Sequence, residues 1–240
     1  MSTSEVPFTL YDLRIIGRFP WTKSYIEYQY KMRHLVKEVP IESSLQRLLS
    51  VAAFEKNHRI QAGGILYDLE SHRYGTVFSC PIRKTRYPYI PSLLSIRNKK
   101  PLIEVIKHFE ENFDIILIEG AGVQHPRFFG IACEIGVDLN VPTFGVTKNS
   151  LYGTIARGQA ETTDIKENSN HELCPVRHLN KEIAYFIRKR GFSKGIYVSI
   201  GHLVSLSSIL TLVQSLLTHR IPEPIRLIKR HLRSSFKENI

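Results

Sequence analysis

Residues 114–130, DIILIEGAGVQHPRFFG, decide the architecture. Four consecutive apolar residues, 115–118, read as a strand covered on both faces. Glu119 ends that run, a Gly-x-Gly turn follows at 120–122, and the segment FGIACEIGVDLN at 129–140 carries a helix. VPTFGVT at 141–147 is then a second strand, which completes a β-α-β unit. Working back along the chain, LLSVAAF (48–54), RIQAGGILY (59–67) and RYGTVFSC (73–80) are short apolar stretches separated by polar turns. They predict an antiparallel meander. Between the two regions Pro101 is expected to open a helix with Leu102, Ile103, Val105, Ile106 and Phe109 on one face.

Working forward, residues 154–174 are polar and read as a long loop. IAYFIRK (183–189) and GIYVSI (195–200) are further strands, 205–217 is an amphipathic helix, and a basic helix begins near Pro224. Residues 21–39 form an aromatic-rich helical stretch, while the first twenty show no strong period and are expected to be a loosely attached arm. The expectation is therefore an arm, 1–20, and one α/β domain, 21–240. Its mixed sheet is an antiparallel meander followed by β-α-β units, flanked by helices.

With 240 residues, 42% of them hydrophobic, the chain can bury a sizeable core and is not a disordered polymer. No apolar run approaches the ~18 residues that cross a bilayer, so no membrane association is expected. The start, MSTSEVPFTLYDLR, lacks the basic-then-apolar pattern of a secretory signal. Cys80, Cys133 and Cys174 form no CxxC or Cys/His cluster. They read as free thiols of a reducing compartment, cytoplasm or nucleus, and neither a disulfide scaffold nor a structural zinc is expected. The 33 Lys and Arg exceed the 22 Asp and Glu, for a net charge of +11. That excess attracts polyanions, RNA or DNA foremost; the plainer alternative is a solvated basic surface.

The unusual residues concentrate in RYPYIPSLLSIRN (86–98), IEGAGVQHPRFFG (118–130), NVPTFGVTKNSL (140–151), YVSIGH (197–202) and RIPEPIR (220–226). In order and spacing these segments resemble the endonuclease V family, and the resemblance runs from Pro20-Trp21 and Gln29 to about Leu232. It implies an RNase H-like fold and recognition of deaminated purine, meaning inosine in RNA or DNA. It also implies Mg²⁺-dependent cutting of a phosphodiester one step 3′ of that base. The family's wedge corresponds to Tyr89, Ile90 and Pro91, a rigid edge able to fill the hole left by an extruded base. Without the flanking motifs the same three residues would read as a stiff surface turn.

Three carboxylates make the family's metal site, and this sequence departs from them. Glu119 holds one position, Asn98 replaces the second, and Val51, give or take one residue, replaces the first. A rival register through residues 62–66 supplies no Asp either, and deletes most of a hairpin. With two anions gone, Mg²⁺ at Glu119 would be weakly held or lost, and with it the Lewis acid and the source of hydroxide. Glu119, Lys148 and His202 keep the family's catalytic positions. Tyr89, Ile90, Pro91, Ser92, Leu94, Gly120, Gly122, His125, Arg127 and Leu151 fall on its nucleic-acid-binding ones. In that set Ser92 replaces a Gly, Ala121 replaces a polar turn residue, backbone donors near Leu94, Gly120 and Gly122 would grip the base, and Leu151 would wall it.

A pocket that has lost two of its three anions but keeps its cations and imidazoles suits phosphate binding more than cutting. Two alternatives stand beside this reading. One is a working Mg²⁺- or Mn²⁺-dependent nuclease using Glu119, Asn98 and Glu55. The other is a protein-interaction scaffold that meets its partner through the aromatic N-terminal segment. Plainer roles also stand for single residues: His125 as a helix cap, Lys148 as a solvated side chain, His202 as a strand-to-helix bridge. The basic helix (Arg226, Lys229, Arg230, Arg233) reads as a solvated face, with Leu227, Ile228 and Leu232 on the core.

Overall fold

The computed structural model describes residues 6–41, 44–110, 112–156 and 170–238. The meander is present as β1 (Arg47–Lys56), β2 (Arg59–Asp68) and β3 (Tyr74–Ser79). Lys56 pairs with Arg59 around a two-residue turn whose Asn57 and His58 both have positive φ, 51° and 56°. That primed geometry matches the twist of a tight hairpin. The full ten-residue pairing of β1 with β2 excludes the rival register, which needed this hairpin deleted. A two-residue strand, β4 (Arg83–Lys84), pairs with the start of β2.

Strand β5 (Ile115–Glu119) lies parallel to β1 on one side and to β6 (Thr143–Thr147) on the other. Its residues Ile115, Ile116, Leu117 and Ile118 are wholly buried, as a strand covered on both faces requires. Antiparallel β10 (Ile196–His202), β9 (Lys181–Lys189), β8 (His171–His178) and β7 (Thr154–Ile155) extend the sheet, whose order is β3-β2-β1-β5-β6-β10-β9-β8-β7. Thus part of the expected loop at 154–174 is strand: residues 154–155 form β7 and 171–174 begin β8. Residues 157–169 lie outside the described residues.

Two apolar layers cover the sheet. Ala52, Leu117, Phe144 and Val146 face α5 (Leu206–Leu216) and α6 (Glu223–Glu238), through Ile209, Val213, Ile228 and Leu232. Leu49, Val51, Ile116 and Ile118 face α3 (Ser95–His108) and α4 (Ile131–Leu139), through Leu102, Val105, Ile106, Ile131 and Ile135. Helix α3 does not open at Pro101 as expected; it begins at Ser95, with Pro101 buried inside it. Proline in a helix forfeits one hydrogen bond, here to the carbonyl of Arg97, but burial of Ser95, Asn98 and Leu102 holds the first turns in place. Those turns carry Asn98 to the cleft.

Within the expected arm, residues 10–18 form a helix packed on the protein. Helix α1 (Leu10–Arg18) is closed by a reciprocal cap between Thr9 and Asp12 and places Asp12 and Ile15 inside the protein. The aromatic stretch is a shorter helix than expected, α2 (Lys23–Met32), which buries Ile26 and Gln29.

Candidate nucleic-acid site

At the C-terminal ends of β5 and β6 a cleft of about 470 Å³ opens between the wedge loop, α3 and α6. Its walls include Ala53, Glu55, Tyr89, Ser92, Leu94, Asn98, Glu119, Gly120, His125, Lys148, Leu151 and Lys229. Most of the residues singled out by sequence therefore meet in one place. In the wedge, Ile90 is buried against Ile15, Ile26 and Leu93 and anchors the loop. Tyr89 is 64% exposed above the cleft, and exposed Pro91 accepts a hydrogen bond from the Tyr11 hydroxyl through its carbonyl.

Ser92, standing where the family has glycine, adopts φ +66°. That left-handed conformation costs a non-glycine residue about 1–2 kcal/mol. Its hydroxyl and its carbonyl each accept a hydrogen bond at 2.8 Å from Arg127 Nη2, and His125 Nε2 meets the same carbonyl at 2.8 Å. These bonds hold the turn that presents the wedge.

Arg127 is consequently not a phosphate contact. It is fully buried, with Nη1 2.5 Å from Asp12 and Nε donating to Gln29 at 2.6 Å. Burial raises the Asp12 pKa, but hydrogen bonds from Tyr30 and Thr9 and the Arg127 charge outweigh it and leave the group below its ordinary value. Gln29 continues the chain of bonds, donating to Glu134 at 2.9 Å, and the Tyr25 hydroxyl donates to the same carboxylate at 2.6 Å. His125 lines the cleft but is 2% exposed; burial and the neighbouring Arg127 push its pKa down to about 3, so it is a neutral strut.

His202 does not reach the cleft. Strand β10 runs antiparallel to β6, and His202 pairs with Thr143, the start of β6, whereas the site lies at Thr147 and Lys148. Four or five residues at ~3.3 Å each separate them. His202 is buried, and its Nδ1 accepts from the Lys37 backbone at 3.2 Å. Two of the backbone donors expected to grip a base are committed elsewhere. The Gly120 N–H donates to Val146 and the Gly122 N–H to Ser199 Oγ. Gly122 has a steric cause instead: a Cβ there would lie 1.8 Å from the Ile200 carbonyl oxygen.

The register of β1 refines the missing acid. Val51 pairs with Ile118 and shares its face, against α3 and α4. One step on, Ala52 comes level with Glu119 and lies in the opposite layer with Leu117 and Val146. Ala52, not Val51, is therefore the apolar residue beside Glu119.

A residue that sequence reading left on the solvated face completes the site. Lys229 of α6 reaches in so that its Nζ lies 2.6 Å from Glu119 Oε2 and 3.1 Å from the Ala53 carbonyl oxygen. Lys148 Nζ is 3.7 Å from the other Glu119 oxygen. The only forewarning in sequence was that Lys229 sits one turn from buried Leu232 and directly after buried Ile228.

A divalent ion does not fit this donor set. Glu119 is already paired with two ammonium groups, Ala52 offers no oxygen from its side chain, and Asn98 brings a neutral amide. Glu55, the acid that could have substituted, is paired with Arg97. Among the described residues no group of three His, Cys, Asp or Glu side chains could hold a metal. Asn98 lines the cleft, and its Oδ1 is buried with no hydrogen-bond partner in the protein.

The mixed sheet with helices on both faces and a cleft at the ends of its central strands is an α/β fold of the RNase H-like kind seen in the solved endonuclease V structures. Human endonuclease V superposes on 91% of this chain with a TM-score of 0.79 at 22% identity, over 99% of its own length. The Ciona intestinalis enzyme, solved with a 24mer DNA containing an inosine followed by a ribo-adenosine, gives a TM-score of 0.78 at 20% identity, covering 92% of this chain and all of that one. The family model described as Endonuclease V matches residues 35–230. Endonuclease V of Thermus thermophilus is 35% identical over 200 residues, 81% of this chain and 86% of that protein. The chain belongs to the endonuclease V family.

Proposed function

We propose that this protein binds nucleic acid containing an unpaired or deaminated base, inosine foremost, and holds the strand without cutting it. One observation carries the reading: the Lys229 ammonium is seated on Glu119, where a nuclease of this family would need a divalent cation. An ammonium neutralises the carboxylate but cannot bind and deprotonate a water as a metal ion does. Lys148, the second cation of the cleft, lies a longer 3.7 Å from Glu119 and favours an entering phosphate. Tyr89 is free to stack against a base or to fill its vacancy. Leu94, Ile131 and Leu151 supply apolar walls, and Asn98 places a neutral amide beside them.

The test uses labelled RNA and DNA strands with one central inosine. Binding is expected to be the same in EDTA as in Mg²⁺ or Mn²⁺, to weaken with salt, and to leave the strand intact. Nicking next to inosine that depends on the metal and disappears in Glu119→Ala would replace this reading with that of a working nuclease.

A further inference from the structure

We propose that the exposed face of α6 is a second binding surface, a track for the phosphodiester backbone of the strand whose base occupies the cleft. The inference rests on the nucleic-acid reading above and extends it from a base pocket to a path. A groove of about 390 Å³ runs along this helix, lined by Lys148, Ile221, Arg226, Lys229, Arg230, Arg233, Ser234 and Lys237. It shares Lys148 and Lys229 with the cleft, so the two concavities are continuous.

Spacing makes the groove a stripe. Arg226, Arg230, Arg233 and Lys237 follow one another at intervals of four, three and four residues and so lie on one side of the helix. At 1.5 Å per residue the row is about 16 Å long, enough to accompany several successive phosphates of a strand. The opposite side, with Leu227, Ile228, Leu232 and Phe236, is buried in the core, which fixes the stripe toward solvent. Arg226 is held by Glu223 at 2.5 Å and Lys229 by Glu119 at 2.6 Å. Arg230, Arg233 and Lys237 are exposed. A polyanion with regularly spaced monovalent charges complements such a row, and a strand leaving the cleft past Lys148 and Lys229 meets it.

The experiment compares the full-length protein with Arg230→Glu/Arg233→Glu. The control is Lys107→Glu/Lys194→Glu, which makes the same change of net charge at exposed positions elsewhere. Binding of a labelled single-stranded RNA of about 20 nucleotides with a central inosine is followed across a salt series. The α6 variant is expected to lose about tenfold or more in affinity, with the slope of log K against log salt smaller by at least about 1, as the loss of two phosphate contacts at ~0.7 each predicts. The control is expected to lose far less, and all three proteins should melt alike.

Equal losses in the two variants would overturn the track and leave only a net-charge effect. An unchanged α6 variant would overturn it as well. If the wild-type protein fails to bind the RNA at all, the cleft reading falls instead, and a heparin-only response would mark the stripe as a site for other polyanions.

Discussion

Lys229 Nζ lies 2.6 Å from Glu119 Oε2 and 3.1 Å from the Ala53 carbonyl oxygen, so an ammonium tethered to α6 stands between β1 and β5 at the centre of the cleft. A charge that travels with the fold needs no ion from solution. Replacing it by a carboxylate inverts the local field. Lys229→Glu is expected to bind Mn²⁺ where the wild-type protein does not, read by the loss of free-ion EPR signal on titration. Stoichiometric Mn²⁺ uptake by the wild type would show that the lysine yields its place.

The Asp12–Arg127 pair ties α1 to the motif behind the wedge, and both side chains have zero exposure. Removing one partner strands the other charge in the interior, a loss of about 3–5 kcal/mol. Arg127→Met should lower the denaturant midpoint accordingly. Because Arg127 also grips Ser92, it should weaken binding of the inosine strand even at temperatures where the variant is folded.

Ser92 holds a left-handed backbone, and its hydroxyl oxygen accepts a hydrogen bond from Arg127. Ser92→Gly relieves the strain but loses that bond, and the two effects are of similar size, about 1–2 and 1.5–3 kcal/mol. A net change within about 1–2 kcal/mol is expected by chemical denaturation. Ser92→Val, β-branched at the same φ and without the hydroxyl, should lose clearly more.

Tyr89 is 64% exposed and should contribute little to folding. Tyr89→Ala is expected to change stability by less than about 0.5 kcal/mol. A lost stacking contact is worth about 1–3 kcal/mol, so affinity for the inosine strand should fall by roughly 5- to 150-fold. Fluorescence anisotropy beside a thermal melt separates the two; unchanged affinity would remove the wedge from the binding surface.

His125 carries the pH dependence. Burial and Arg127 depress its pKa from 6.5 to about 3. Below pH 6.5 the unfolded chain therefore takes up a proton that the folded protein refuses. Stability from this residue is fully present above 6.5 and declines as pH falls toward 3, at up to ~1.4 kcal/mol per pH unit. His202, also depressed by burial, acts in the same direction. Unfolding midpoints between pH 7 and 4.5 should fall less steeply in His125→Gln than in wild type.

Local pattern made the central strands legible. The residues at 115–118 and 143–146 are buried on both faces because a parallel strand between helices has no solvent side, and that leaves an unbroken apolar signature. The three meander strands, the helix after Gly130 and the amphipathic C-terminal helices announced themselves by period in the same way. Motif spacing brought Tyr89, Leu94, Asn98, Glu119, His125, Lys148 and Leu151 to one cleft, as expected. Spacing was silent on three points. It could not say that the HPR arginine turns inward to Asp12, that His202 ends at the far end of its strand, or that the Gly120 and Gly122 amides are occupied within the protein.

Local pattern in the chain was enough for the meander, the central strands, the helices after Gly130 and Ser205 and the polyanion-seeking charge, because each is a property of neighbouring residues or of composition. Only the tertiary structure decided which cation sits beside Glu119. Lys229 and Glu119 are 110 residues apart, and whether a lysine on a basic helix faces water or a carboxylate depends on how that helix packs across the sheet. Side-chain direction at a long-range contact is set by the packing of whole elements, and no local pattern encodes it.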